Sequence, residues 1–88
     1  LDAASIRENF AAGFELYPNP ARDYVTISAG RTSGILEIMS LHGRTMMVKQ
    51  LDQPGQPVKI LTREWGRGIY FVKLGSGKQI TVKKLIIN

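Results

Sequence analysis

The side chains able to perform acid–base or nucleophilic chemistry are few and scattered in this sequence. The single histidine, His42, falls in a predicted hairpin turn, and Ser40 nearby has no third residue to orient such a pair. The carboxylates stand singly, without the pairing that acid–base hydrolysis uses. The sequence therefore predicts no enzyme active site.

Metal and phosphate sites are not indicated by residue spacing either. Asp23 and Asp52 fall in predicted loops, but neither belongs to the D-x-D-x-D-G run of a calcium loop. The glycines of "GRGIYF" and "GSGK" flank strands, whereas a phosphate loop leads into the N-terminus of a helix. Cysteine is absent, which excludes disulfides and cysteine-ligated zinc. We expect no metal and no cofactor.

The net charge of +5 is concentrated late in the chain, because only cations follow Glu64. Such a basic segment suits a polyanion, for example nucleic acid or an anionic glycolipid, but lysines also keep small sheets soluble and protect their edges. Tyr70 and Phe71 alternate along one strand and point to opposite faces, so they cannot form one stacking platform for bases. Trp65, which stands between two arginines, is more typical of a residue that fills a sandwich core. No nucleic-acid partner is predicted.

The elements that hold these residues are predicted to be strands and turns from Phe14 onward. Short alternating apolar runs are separated by turns rich in Gly and Pro, and no helix of normal length interrupts them. This spacing predicts an all-β, immunoglobulin-like β-sandwich of about seven antiparallel strands. The predicted strands are 14–17, 24–29, 35–41, 44–51, 58–61, 68–75 and 78–88, with a crossover at 62–68.

The last strand has a problem of phase. Ile80 and Val82 fall on one face, whereas Leu85 and Ile87 fall on the other. A bulge near residues 83–84 would turn all four inward, because one extra residue resets a period of two. The alternative is a strand end that is buried on both faces.

Residues 1–13 differ from the rest of the chain. They are small and helix-tolerant, lack strand alternation and end at Gly13, so they are predicted to form a linker before a domain of residues 14–88. No stretch approaches the length of an apolar membrane span, and none resembles a signal peptide. If the protein is exported, we expect its targeting segment to lie outside this chain.

Four motifs in order carry a resemblance to a known family. They are "YPNPARDYVTI" at 17–27, "ILEIMSLHGRTM" at 35–46, "GRGIYFVKL" at 66–74 and "KQITVKKLIIN" at 78–88. Together they resemble the C-terminal sorting domain of type IX secretion (Por secretion) substrates, over residues 14–88. Trp65 departs from the family pattern, in which leucine is common at that place, but the exchange is apolar for apolar.

The resemblance implies a non-catalytic signal that directs a larger cargo protein of Bacteroidetes from the periplasm across the outer membrane to the cell surface. The upstream linker would then lead from the cargo. The implied partners are the type IX translocon, an outer-membrane shuttle protein and a sortase-like cysteine peptidase. That peptidase removes the domain and joins the cargo to an anionic lipopolysaccharide.

The residues that match the family motifs each have a structural role available to them as well. Prolines and glycines suit turns, asparagine can bond the backbone, and a tyrosine can bury its ring while its hydroxyl bonds a loop. We expect the lysines of the terminal strand to make direct contacts, since an end strand offers an open edge and cations suit an acidic receptor. The matching residues are Pro18, Asn19, Pro20, Gly43, Arg44, Gly68, Tyr70, Lys78, Lys83 and Lys84.

Two other functions are left open by the residues themselves. A carbohydrate-binding or adhesive β-sandwich would need a planar set of exposed aromatic rings, for which Tyr17, Tyr24 and Trp65 are the candidates. A stalk or dimer formed through an edge strand is the other.

Overall fold

The computed structural model describes residues 14–30, 33–52 and 55–88. The predicted linker, residues 1–13, lies outside the described residues. Within the described part the chain forms strands and turns, and no helix there is long and apolar enough to cross a membrane. The strands are β1 (Glu15–Tyr17), β2 (Tyr24–Ser28), β3 (Gly34–Ser40), β4 (Thr45–Leu51), β5 (Val58–Leu61), β6 (Gly68–Ser76) and β7 (Gln79–Ile87).

The strands form two sheets packed as a sandwich. One sheet has three strands in the order β1-β2-β5, and the other has four in the order β4-β3-β6-β7. All of these strand pairs are antiparallel. The pairings of β2 with β5 and of β3 with β6 join strands that are not consecutive, as in immunoglobulin-like folds. The predicted fold class is confirmed.

The core between the sheets is built mainly by alternate residues of the strands. Val25 and Ile27 of β2 and Leu36 and Ile38 of β3 belong to this core, and all four are almost completely buried. Each such side chain contributes about 1.5–3 kcal/mol when it is removed from water. The buried apolar residues are Phe14, Ala21, Val25, Ile27, Leu36, Ile38, Leu51, Ile60, Tyr70, Val72, Leu74, Leu85 and Ile87.

The last strand is regular, and both alternatives for its phase are wrong: it has no bulge near residues 83–84, and it is not buried on both faces, because Ile80 and Val82 are exposed. Its ladder with β6 runs without a shift from Ser76 opposite Gln79 to Gly68 opposite Ile87. A two-residue turn at Gly77 and Lys78 sets this register. The register in turn decides on which face of the sheet each later side chain lies.

The regular register leaves two large apolar side chains of β7 outside the core. Thr81 takes the inward position together with Leu85 and Ile87, so Ile80 and Val82 lie on the outer face, where they are 60% and 53% exposed. A bulge does occur in the four-stranded sheet, but it lies in the ladder between β3 and β4, at Ile38 and Met39.

The two faces of β7 should differ sharply in their effect on stability. Leu85→Ala is expected to lower the free energy of unfolding by about 2–5 kcal/mol, because it leaves a cavity at a fully buried site. Ile80→Ala, the matched control on the exposed face, should change it by less than about 0.5 kcal/mol. Urea denaturation measures both values. Equal losses for the two variants would mean that Ile80 is buried and that the register is wrong.

Candidate recognition site at the terminal strand

The segment after β1, residues 18–23, crosses from the three-stranded sheet to β7, and we call it the crossing segment. Pro18 and Pro20 have no N–H groups, so the chain cannot continue the β1 ladder through them. The chain instead reaches the edge of β7 and returns to form β2 at Tyr24. The opening motif and the terminal strand therefore meet in space.

Asn19 bonds β7 through its side-chain amide. Its Nδ2 donates to the carbonyl oxygen of Lys84 over 3.0 Å. The N–H of Ile86 donates to its Oδ1, also over 3.0 Å. A side-chain amide carries a donor and an acceptor, as a peptide group does, so Asn19 takes the place of a neighbouring strand at these two positions.

Ala21 continues the same edge contact through its backbone. Its N–H donates to the carbonyl oxygen of Ile86 over 2.7 Å, and the N–H of Asn88 donates to its carbonyl oxygen over 2.8 Å. Ala21 lies opposite Ile87 in a parallel arrangement, and it is completely buried. The downstream half of the edge of β7 is thus closed by Asn19 and Ala21.

Thr62, directly after β5, holds the other end of the crossing segment. Its buried hydroxyl donates to the carbonyl oxygen of Arg22 over 3.1 Å, and its N–H donates to that of Asp23 over 2.9 Å. Arg63 lies 3.8 Å from Asp23, but an exposed ion pair of this kind contributes little. The crossing segment is fixed to both sheets and links them.

Tyr70 has a structural role in the sandwich. Its ring is buried, and its hydroxyl donates to the carbonyl oxygen of Gly66 over 2.6 Å. The ring of Trp65 lies 5.7 Å from that of Tyr70, centroid to centroid, and packs against the core. Both aromatic residues therefore stabilise the crossover before β6.

Gly43 and Gly68 meet the backbone requirements of a turn and of a strand start. Gly43 has φ +89°, and its N–H donates to the carbonyl oxygen of Ser40 in the tight β3–β4 hairpin. Gly68 has φ +149° and lies opposite Ile87. Both angles are unfavourable for other residues. Arg44 accepts from the N–H of Ser40 through its own carbonyl oxygen.

These motif residues lie at one end of the four-stranded sheet. Ser40, Tyr70 and Leu85 stand side by side on β3, β6 and β7, and the β3–β4 hairpin tip, Gly68 and the downstream end of β7 lie beyond them. Asn19 binds the same end of β7. Residues from all four motifs thus surround the downstream half of the terminal strand.

The structure does not bring the three predicted lysines together. Lys78 lies in the turn at the opposite end of β7, whereas Lys83 and Lys84 lie on its two faces. The ammonium of Lys83 is 5.9 Å from the centroid of the Phe14 ring. All three lysines are exposed, and the ion pairs found among the described residues involve none of them.

The aromatic side chains do not form the platform that a carbohydrate site would need. Tyr17 and Tyr24 lie on the outer face of the three-stranded sheet, where the ammonium of Lys59 covers the Tyr24 ring at 4.4 Å. Trp65 packs against Tyr70 instead. The described residues also contain no cluster of His, Asp and Glu side chains that could hold a metal ion.

A comparison with protein families decides the assignment. The family described as "Secretion system C-terminal sorting domain" matches residues 15–88. This chain belongs to that family. No curated protein matches the chain at a significant level.

The sorting domain is the signal of type IX secretion, and it marks proteins for export across the outer membrane to the cell surface or the medium. The family interacts with the type IX secretion machinery and is associated with cleavage of its members. It is a sorting signal rather than a catalytic family. Nothing favours the carbohydrate-binding alternative.

Two residues that hold the sorting domain together were not predicted from the sequence. Thr62 follows a strand and carries no pattern that distinguishes it from a surface threonine, although it is completely buried. Ala21 stands inside the opening motif, where its small size beside a closely approaching strand was the available signal. Both positions depend on contacts between residues far apart in sequence.

The two hydrogen bonds of Asn19 can be separated by substitution. Asn19→Ala removes both and should lower the free energy of unfolding by about 1–2 kcal/mol. Asn19→Asp keeps an acceptor for the N–H of Ile86, but it replaces the donor to Lys84 with a carboxylate oxygen that repels that carbonyl oxygen. In hydrogen exchange followed by NMR, the Ile86 N–H should lose protection in the Ala variant and keep it in the Asp variant. Equal protection of Ile86 in both variants would show that Asn19 does not close this edge.

Proposed function

We propose that the secretion machinery recognises β7 directly, through its lysines, and that the other motif residues serve the signal by maintaining the fold. One observation carries this proposal. Asn19, Gly43, Gly68 and Tyr70 are engaged in bonds or backbone conformations within the domain, whereas the side chains of Lys83 and Lys84 extend from an edge strand on opposite faces.

The proposed partners are those that the family resemblance implies. They are the type IX translocon, an outer-membrane shuttle protein and a sortase-like cysteine peptidase that joins the cargo to an anionic lipopolysaccharide. The cations of β7 suit an acidic surface on the first two, because charge complementarity speeds association and sets orientation. We propose that the domain itself has no catalytic activity and does not bind nucleic acid.

We also propose that cleavage separates the cargo from a domain that begins near Phe14, so that residues 1–13 act as the linker. Phe14 is 3% exposed and packs in the core, and β1 starts at the next residue. A peptidase needs an extended, accessible backbone, and peptide bonds after Phe14 belong to the sandwich. This supports a cut within or just upstream of residues 1–14.

Reversing the charge of the terminal strand should impair export without unfolding the domain. A reporter fused to this chain and carrying Lys83→Glu with Lys84→Glu is expected to accumulate in the periplasm, with surface delivery lowered by about tenfold or more, because its β7 repels an acidic receptor. The control is Lys49→Glu with Lys59→Glu, which changes the net charge equally on β4 and β5. Surface labelling and cell fractionation measure delivery.

Normal delivery of the β7 double variant would contradict the proposal, as would equal loss in the control. Thermal denaturation of both variants serves as the control: an unchanged melting temperature would exclude a folding defect as the cause of retention. Deletion of residues 78–88 should also trap the cargo, but it removes Leu85 and Ile87 from the core. The lysine variants therefore separate recognition from folding.

The position of the cut can be read from the exported cargo. Mass spectrometry of its mature C-terminus should place the last residue within or just before residues 1–14. A mature C-terminus beyond β1 would show that the sandwich opens before cleavage and would rule out the proposed boundary.

A further inference from the structure

The edge of β7 is divided into a closed half and an open half. The N–H of Ile86 bonds Asn19 and its carbonyl oxygen bonds Ala21, so the backbone groups of Ile86 point away from β6. Along an antiparallel strand the backbone groups of successive residues point to alternate sides. The N–H and C=O groups of Ile80 and Val82 and the N–H of Lys84 therefore point away from β6 as well. Among residues 14–30, 33–52 and 55–88, no hydrogen bond reaches these groups.

The other three sheet edges carry features that discourage pairing with another chain. β1 has three residues and β5 has four, and short edge strands are poor templates. The ladder of β4 with β3 contains a bulge, which twists an edge. β7 has nine residues in regular register, and in the part of the chain that the structure describes only the crossing segment bonds its outer edge. Its open half is the best template for strand addition among the described strands.

The side chains of the open half are of the types that favour pairing with a further strand. Ile80 and Val82 are β-branched, lie on the outer face and are more than half exposed. Neither proline nor glycine occurs between Gln79 and Ile87. An added strand would place its own apolar side chains beside Ile80 and Val82 and extend this face.

The charges beside the open half indicate what kind of strand it accepts. Lys83 and Lys84 lie within it, Lys78 lies in the turn just before it, and β7 contains no carboxylate. On the neighbouring strands the carboxylate of Glu37 already lies 3.4 Å from Lys73 and accepts a hydrogen bond from Thr45. A second copy pairing around Val82 would bring two sets of these lysines together, which is unfavourable.

We propose that the open half of β7, residues 80–84, accepts an extended acidic segment of a partner protein as an added strand, with apolar residues at alternate positions. Asn19 limits the added strand, because it already occupies the carbonyl oxygen of Lys84 and the N–H of Ile86. This inference deepens the proposed recognition of β7 and rests on it. It states that backbone pairing, and not charge alone, makes the contact.

Two valines at opposite ends of one row of the sheet supply a matched pair of variants. Val48, Glu37, Lys73 and Val82 stand side by side on β4, β3, β6 and β7. Ile86 bonds outward, so by alternation Val82 also points outward and the backbone groups of Lys73 point to Glu37. The backbone groups of Glu37 then point to Lys73, so the N–H of Val48 points to the open edge of β4. Proline at either position removes an outward N–H and no ladder hydrogen bond. Val82→Pro should block strand addition, and Val48→Pro should not.

The direct test is NMR hydrogen exchange of the domain with a blocked synthetic peptide of alternating glutamate and valine. Saturating peptide should slow exchange of the N–H groups of Ile80, Val82 and Lys84 by about tenfold or more, and that of Val48 by less than about twofold. The same peptide with lysine in place of glutamate should have no effect. Val82→Pro should abolish the slowing at Ile80 and Lys84, and Val48→Pro should preserve it.

Several outcomes would overturn this inference. They are unchanged exchange with the glutamate peptide, equal slowing with the lysine peptide, protection that rises with domain concentration alone, and strong protection in the dilute domain. The third would identify a second copy as the occupant, and the fourth an occupant within the chain.

Export of the folded variants separates this inference from the proposed function. If the Lys83→Glu and Lys84→Glu reporter is retained while the Val82→Pro reporter is delivered normally, recognition of β7 stands and strand addition fails. If both are delivered normally, the proposed recognition itself fails.

Discussion

The interaction on which the rest of this domain depends is the contact between the crossing segment and the terminal strand. Backbone polar groups at a sheet edge need hydrogen-bond partners. On β7 the side chain of Asn19 is the partner of two such groups, the carbonyl oxygen of Lys84 and the N–H of Ile86. Ala21 supplies two more through its own backbone, and Thr62 holds the neighbouring residues from the other side. The two sheets are therefore joined by hydrogen bonds as well as by their shared core.

This contact explains why the opening motif and the terminal motif occur in one domain. The prolines stop β1, the asparagine replaces a strand, and the alanine is small enough to lie against Ile87. The motif acts on the last strand without adding chemistry of its own. Residues that fix one segment to another matter in a domain of this size, because its core is thin and its stability modest.

The same contact controls which part of the terminal strand is available to other molecules. Regular, exposed strand edges pair with other chains unless something covers them. Among the described residues the cover extends over the downstream half of β7 only, while the upstream half carries exposed apolar side chains and the lysines Lys83 and Lys84. The boundary between the halves lies at Lys84, one of the residues that the sequence motif singled out.

The strands, their inward faces and the family were accessible from the sequence. Val25, Ile27, Leu36 and Ile38 alternate with other residues along the predicted strands and are all buried, because a strand repeats every two residues and one face of each strand packs in the core. The four motifs, in order, led to the sorting-domain family, which residues 15–88 match.

Only the tertiary structure decided on which face of the sheet Ile80 and Val82 lie and which backbone groups Asn19 bonds. The apolar pattern of β7 allowed a bulge, but the two-residue turn at Gly77 and Lys78 sets a register that leaves both side chains outside. Asn19 is 65 residues from Lys84 in sequence, and no local pattern records a hydrogen bond over that separation. Periodicity describes which face of a strand is apolar, whereas the packing of distant segments decides what covers its edge.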